Sequence, residues 1–212
     1  LAANQNICRA QLMLGLIYYH IFTDANKAIY YLTLAASQNN AEAMHHLGVV
    51  YYQSDILRDK TKSIHFLTQS AEQDYTEAQC LLGFFYYCDE DIYDIKKAIH
   101  YLTIASNKNH LVAHVILGHI YCFCCHVPRD VYKGIYYLTL ASNQDDPLAH
   151  FLLGDVYLSS KEIPHDIDKA LIHIKIACDA NYCLAQYALG VLYYKGTFIK
   201  ENINKAIHYL QL

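Results

Sequence analysis

The chain has 212 residues, a formal net charge of −4 and 16 Lys and Arg in all. That length can bury a sizeable core, and the charge argues against the basic footprint of a nucleic-acid binder. No apolar run reaches the roughly 20 residues of a transmembrane helix, no signal-peptide pattern opens the chain, and three prolines with eight glycines are too few for an all-β protein.

In chain order, the first predicted helix carries Ala10, Leu14, Gly15 and Tyr18, a spacing that puts them on one helical face. A second helix begins behind Asp24, which has the side chain of an N-cap. It buries Ala28, Ile29, Tyr31, Leu32, Ala35 and Ala36. Asn39 closes it, because Asn and Asp tolerate the left-handed conformation of a helix end. The pair then recurs. The face Ala43, Leu47, Gly48, Tyr51 is followed by Asp59, Lys62 and Asp74; later copies place their glycines at Gly83, Gly118, Gly154 and Gly190. Their caps are Asp94, Asp130, Asp166 and Asn202, their lysines Lys97, Lys133, Lys169 and Lys205, and their closing residues Asn109, Asp145 and Asn181. The Leu-Gly dipeptides advance in steps of 33, 35, 35, 36 and 36 residues. A glycine inside a helix costs about 1 kcal/mol against alanine. Six glycines at one position imply helix backbones in close approach.

A lone hairpin cannot bury both faces, so the units must stack. The expected fold is all-α: a right-handed α-solenoid superhelix of stacked antiparallel helix pairs. The pattern A-x3-LG-x2-Y, a loop, then D-x2-KA-x2-YL-x2-AA resembles the Sel-1-like repeat family, close to tetratricopeptide repeats. The resemblance spans the chain. It implies a single repeat domain, 1–212, of six helix pairs at about 10–42, 43–77, 78–112, 113–148, 149–184 and 185–212. A hydrophobe near the Asp cap (Val127, Ile163, Ile199) fits that family. Two features depart from it: few loop glycines, and Gly134 where alanine is expected. Residues LAANQNICRA at Leu1 align with LAASQNNAEA at Leu34, so the chain is read as a segment of a longer array, starting and stopping inside a second helix.

Residues of catalytic or metal-binding type occur without the spacing such chemistry needs. His65, His100 and His208 share one repeat position with Tyr30, Tyr136 and Ile172, which reads as a semi-polar aromatic site on a helix face. Asp89, Glu90 and Asp91 read as a solvated acidic connector, and their spacing is wrong for a Ca loop. Ser159 and Ser160 lack a nucleophile elbow, and no phosphate-binding glycine loop occurs. No catalytic residue, metal site or cofactor is assigned. In YCFCCHVPRD, Cys122, Cys124, Cys125 and His126 are of Zn-ligand type without the spacing of a closed Zn site. They support an alternative reading as a redox- or metal-responsive loop. Eight cysteines without constant spacing suit a reducing, intracellular and cytoplasmic setting.

The resemblance also implies a binding face, because first helices line the concave side of related solenoids. Positions 2, 6 and 9 after the first alanine lie off the packing stripe and project there. They include Tyr19, His45, Val49, Tyr52, Phe84, Tyr87, His119, Phe151, Asp155, Tyr187 and Tyr194, beside Leu12, Cys80, Val115 and Cys122. This apolar and aromatic trough lacks the Lys, Arg and Asn of a carboxylate clamp. The function expected is a non-enzymatic scaffold or adaptor for a protein or peptide partner, with no nucleic acid or membrane involved. Tyr30 and Leu34, Tyr136 and Leu140, and Ile172 and Ile176 give the second helices a further apolar face.

Overall fold

The computed structural model describes residues 7–54 and 56–212, and helices are its only long regular elements among them. The expected second-helix character of the first residues falls on 1–6, outside the described residues. The chain divides into two compact units, one ending at Lys108 and one spanning Asn109–Leu212. The first holds α1 (Cys8–His20), α2 (Ala25–Ala36), α3 (Ala41–Gln53), α4 (Lys60–Glu72), α5 (Thr76–Cys88) and α6 (Ile95–Asn107), with a 3₁₀ turn at Glu90–Ile92. The second holds α7 (Leu111–Phe123), α8 (Val131–Ser142), α9 (Pro147–Ser159), α10 (Ile167–Asp179), α11 (Cys183–Lys195) and α12 (Ile203–Gln211). Within each unit consecutive helices pair as hairpins, and each hairpin packs on the next.

Every hairpin is built on the same frame. The cap side chains of Asp24, Asp59, Asp94, Asp130, Asp166 and Asn202 each accept from the backbone N–H of the lysine three residues on, at 2.9–3.1 Å. The cap's own N–H donates back to the carbonyl of the first-helix tyrosine, as Asp59 does to Tyr51 at 2.8 Å. That tyrosine lies parallel to a ring of the second helix: Tyr18 on Tyr31, Tyr51 on Phe66, Tyr86 on Tyr101, Tyr121 on Tyr137 and Tyr193 on Tyr209, with centroids 5.5–6.1 Å apart. A lysine ammonium lies over the ring of each of these tyrosines, for example Lys133 at 4.3 Å from the Tyr121 centroid. The tyrosine after Leu-Gly is therefore the hinge pin of each hairpin. In the fifth, His173 replaces the second ring, lies against Tyr157, and its Nδ1 is 2.9 Å from Nδ1 of His150. One of those two imidazoles must be neutral, with its Nδ1 unprotonated, to accept from the other.

The repeated glycine is explained by contact. A Cβ on Gly48 would meet Leu67 Cγ at 2.5 Å, and the other five glycines face Leu32, Leu102, Leu138, Ile174 and Leu210 in the same way. Leu32, Leu67, Leu102 and Leu138 are fully buried there. The helix ends are as the sequence predicts: Asn39, Asp74, Asn109, Asp145 and Asn181 have φ between 58° and 66°.

Two readings are corrected. Asp89 is not part of a solvated connector, for it is buried at the end of α5. Its carboxylate accepts from Lys60 Nζ at 2.7 Å, from the Tyr52 hydroxyl at 2.8 Å and from the Asp91 N–H. Those partners compensate its desolvation and hold its carboxyl below the usual range, Lys60 most of all. Cys122 does not face a trough. Its thiol is fully buried and fills the space a Cβ on Gly134 would take, which accounts for the departure from alanine there.

Candidate partner-binding face

Within the first unit the off-stripe positions of α1, α3 and α5 divide into closed and open groups. Leu12 and Cys80 are buried and serve packing. Tyr19 is half-buried, and its hydroxyl donates to Gln53 Oε1 at 2.7 Å. Burial raises its pKa. Tyr52 is more firmly committed: its ring stacks on Phe85 at 3.8 Å, Arg58 lies over its face, and its hydroxyl is held by Asp89. Burial and then Asp89 raise its pKa. His45 is half-buried beside His46 and Tyr75, and burial pushes its pKa down to about 4. Val49 and Tyr87 are half-buried. Phe84 remains open, 42% exposed despite being a large apolar ring.

Within the second unit, Val115 and Cys122 are buried. His119 is half-buried against Phe123, with its pKa lowered by burial. Phe151 packs on Tyr182 at 5.5 Å. Asp155 is a half-buried carboxylate whose pKa is raised by desolvation, opposed by the Arg129 charge and the Ser159 hydroxyl. Tyr187 and Tyr194, both on α11, are exposed at 63% and 62%.

Sequence reasoning missed Tyr75 and Tyr182. Each precedes a first helix, at the place where Asn40 and Asp146 cap theirs, and each lays its ring on an off-stripe residue, His45 or Phe151. The signal was available: an aromatic residue standing where other copies carry a capping side chain. The loop ends also form clefts that the helix pattern did not announce. One of about 830 Å³ in the first unit is lined by Tyr19, Phe22, Gln53 and Leu57. One of about 810 Å³ in the second unit is lined by Tyr132, Ile163, Lys169 and Phe198. Ile163 and Ile199, the hydrophobes before their caps, both line the second of these clefts and were its trace in the sequence. The outer second-helix positions Tyr30, Tyr136, Ile172 and Ile176 are exposed, as are His65, His100 and His208. Among the described residues no group of three or more His, Cys, Asp or Glu is arranged to hold a metal ion, and no helix is long and apolar enough to cross a membrane.

No curated protein matches the chain in sequence. Among solved structures it is similar to c5321, a protective antigen present in uropathogenic Escherichia coli strains, with a TM-score of 0.83 at 22% identity. That match covers 98% of this chain and 46% of the antigen, so the chain spans under half of that protein's length. It is similar also to a Sel1 repeat protein from Oxalobacter formigenes, with a TM-score of 0.81, 24% identity, and 97% and 86% of the two chains covered. A more distant likeness is to the immunity protein Pa5087 of Pseudomonas aeruginosa, with a TM-score of 0.55, 17% identity, and 88% and 72% covered. The Sel1 repeat family model matches 8–40, 41–75, 76–110, 113–146, 147–182 and 183–212. These are the six hairpins with their shared cap, lysine, tyrosine and glycine frame, and the chain belongs to the Sel1 repeat family.

Proposed function

We propose that the chain is a protein-interaction scaffold whose first helices hold a segment of a protein partner on their off-stripe face. Sel1 repeats are a known scaffold for protein–protein interaction, generally without catalysis. The observation that carries the reading is the exposure of Phe84 on α5 and of Tyr187 and Tyr194 on α11. The hairpin frame is complete without these rings, and large exposed aromatic residues supply contact area with little loss of side-chain freedom. The half-buried His45, Val49, Tyr87, His119, Phe151 and Asp155 are further members of the same off-stripe set, in their respective units. The scattered, unstapled cysteines support an intracellular setting for this role.

The test separates binding from folding. Peptides selected from a random display library on the wild-type protein serve as the probe. Phe84→Ala, and Tyr187→Ala with Tyr194→Ala, are expected to weaken those peptides by about tenfold or more, while circular dichroism melts stay close to wild type. Unchanged affinity for both variants would overturn the reading. Tyr52→Ala does not serve here, because it also strips a hydrogen-bond donor from the buried Asp89.

A further inference from the structure

After α7 the chain brings two thiols and one imidazole together. Nδ1 of His126 lies 3.8 Å from Cys124 Sγ and 3.7 Å from Cys125 Sγ. Cys124 is half-buried at the end of α7, where its N–H donates to the Ile120 carbonyl at 3.2 Å, whereas Cys125 and His126 are exposed. The loop is braced further on, since Arg129 pairs with Glu162 at 3.5 Å. Cys122 stands apart from this group, sealed against Gly134. Cys80 and Cys178 are likewise buried.

The adjacency of the two cysteines decides what they can do. Consecutive Cα atoms are about 3.8 Å apart, closer than the roughly 4.4–6.8 Å of an ordinary disulfide. Direct S–S closure is therefore strained. A single thiophilic atom set between the sulfurs widens the span and relieves that strain. With three metal-ligating side chains nowhere suitably arranged among the described residues, the two sulfurs are the whole ligand set. The imidazole, whose Nδ1 lies beside both sulfurs, then serves as a proton acceptor, because the thiolate is the reactive form of cysteine.

We propose that Cys124 and Cys125, with His126 accepting a proton, form a dithiol site that captures trivalent thiophilic electrophiles of the arsenical class. The step balances without an oxidant. An organoarsenic oxide, R–As=O, reacts with both thiols; two As–S bonds form and the As–O bond breaks. The oxygen leaves as water with the two thiol protons, one of them passed through His126 Nδ1. Arsenic stays trivalent throughout.

The test uses the purified chain and phenylarsine oxide. Intact-mass measurement is expected to show one phenylarsenic adduct per chain that survives a monothiol wash and is released by 2,3-dimercaptopropanol. Cys125→Ser, an exposed position, loses this wash-resistant adduct, whereas Cys88→Ser and Cys183→Ser, at the other exposed thiols, keep it. His126→Gln slows capture at pH 7 by at least about tenfold, and the difference narrows toward pH 9, where solvent takes the protons. A wash-resistant adduct in Cys125→Ser overturns the site. An adduct that the monothiol removes from wild type overturns its bidentate character. An unaltered pH–rate profile in His126→Gln overturns the role of the imidazole.

Discussion

At the scale of single residues, the buried polar groups differ in how they are compensated. Asp89 is surrounded by donors, whereas Nδ1 of His45 is buried without a hydrogen-bond partner among the described residues. Desolvation holds the His45 pKa down to about 4, with His46 lowering it further and Glu77 opposing. The unfolded chain titrates near 6.5. Above that value both states are neutral and the full stability is present. As pH falls from 6.5 toward 4 the unfolded state takes up a proton that the folded state refuses, so stability is lost, and below 4 the loss levels off. Wild type is expected to lose about 2 kcal/mol through His45 between pH 7 and pH 5. His45→Leu should remove that part of the acid sensitivity. Urea unfolding at both pH values measures it, and parallel losses in the two proteins would show that His45 is not responsible.

At the scale of the helix pair, one frame accounts for most of the repeated residues. The capping carboxylate, the lysine over a tyrosine, the parallel ring and the glycine beneath a leucine all lie where first and second helices cross. The fourth hairpin alters one member and compensates with another: a thiol, Cys122, occupies the volume that a methyl fills elsewhere, as in Ala98 or Ala170. Gly134→Ala alone is expected to destabilise the protein by about 1–3 kcal/mol through overpacking. In the background of Cys122→Ala the same change should cost far less, with a coupling of about 1 kcal/mol or more. Urea midpoints of the two single variants and the double variant give this coupling. Additive losses would mean that the thiol and the glycine do not share the space.

At the scale of the whole molecule, stability in a stacked repeat protein is close to a sum of repeat terms and nearest-neighbour interfaces. Each compact unit contains three hairpins among the described residues, about the number at which stacked repeats become stable. Residues 1–108 and 109–212 produced separately are therefore each expected to be helical and to unfold cooperatively. Far-UV circular dichroism with thermal melts checks this. A unit that melts without a transition would place part of its stability outside itself.

The sequence by itself determined the all-helical hairpin plan, the cap residues, the left-handed Asn and Asp at the helix ends, and the six close approaches at glycine. All of these rest on interactions within a few residues, or on a period repeated often enough to stand above chance. The candidate face was legible only as a set of positions, because helical phase says which side a residue leaves from and not what already covers it. Tertiary contacts decided that Tyr52 is held by an aspartate 37 residues away and that Phe84, Tyr187 and Tyr194 stay open. They also decided that Cys122 is a packing thiol, sealed against Gly134 of the second helix. Burial is a property of what the neighbouring hairpin brings, and that neighbour lies a full repeat away along the chain.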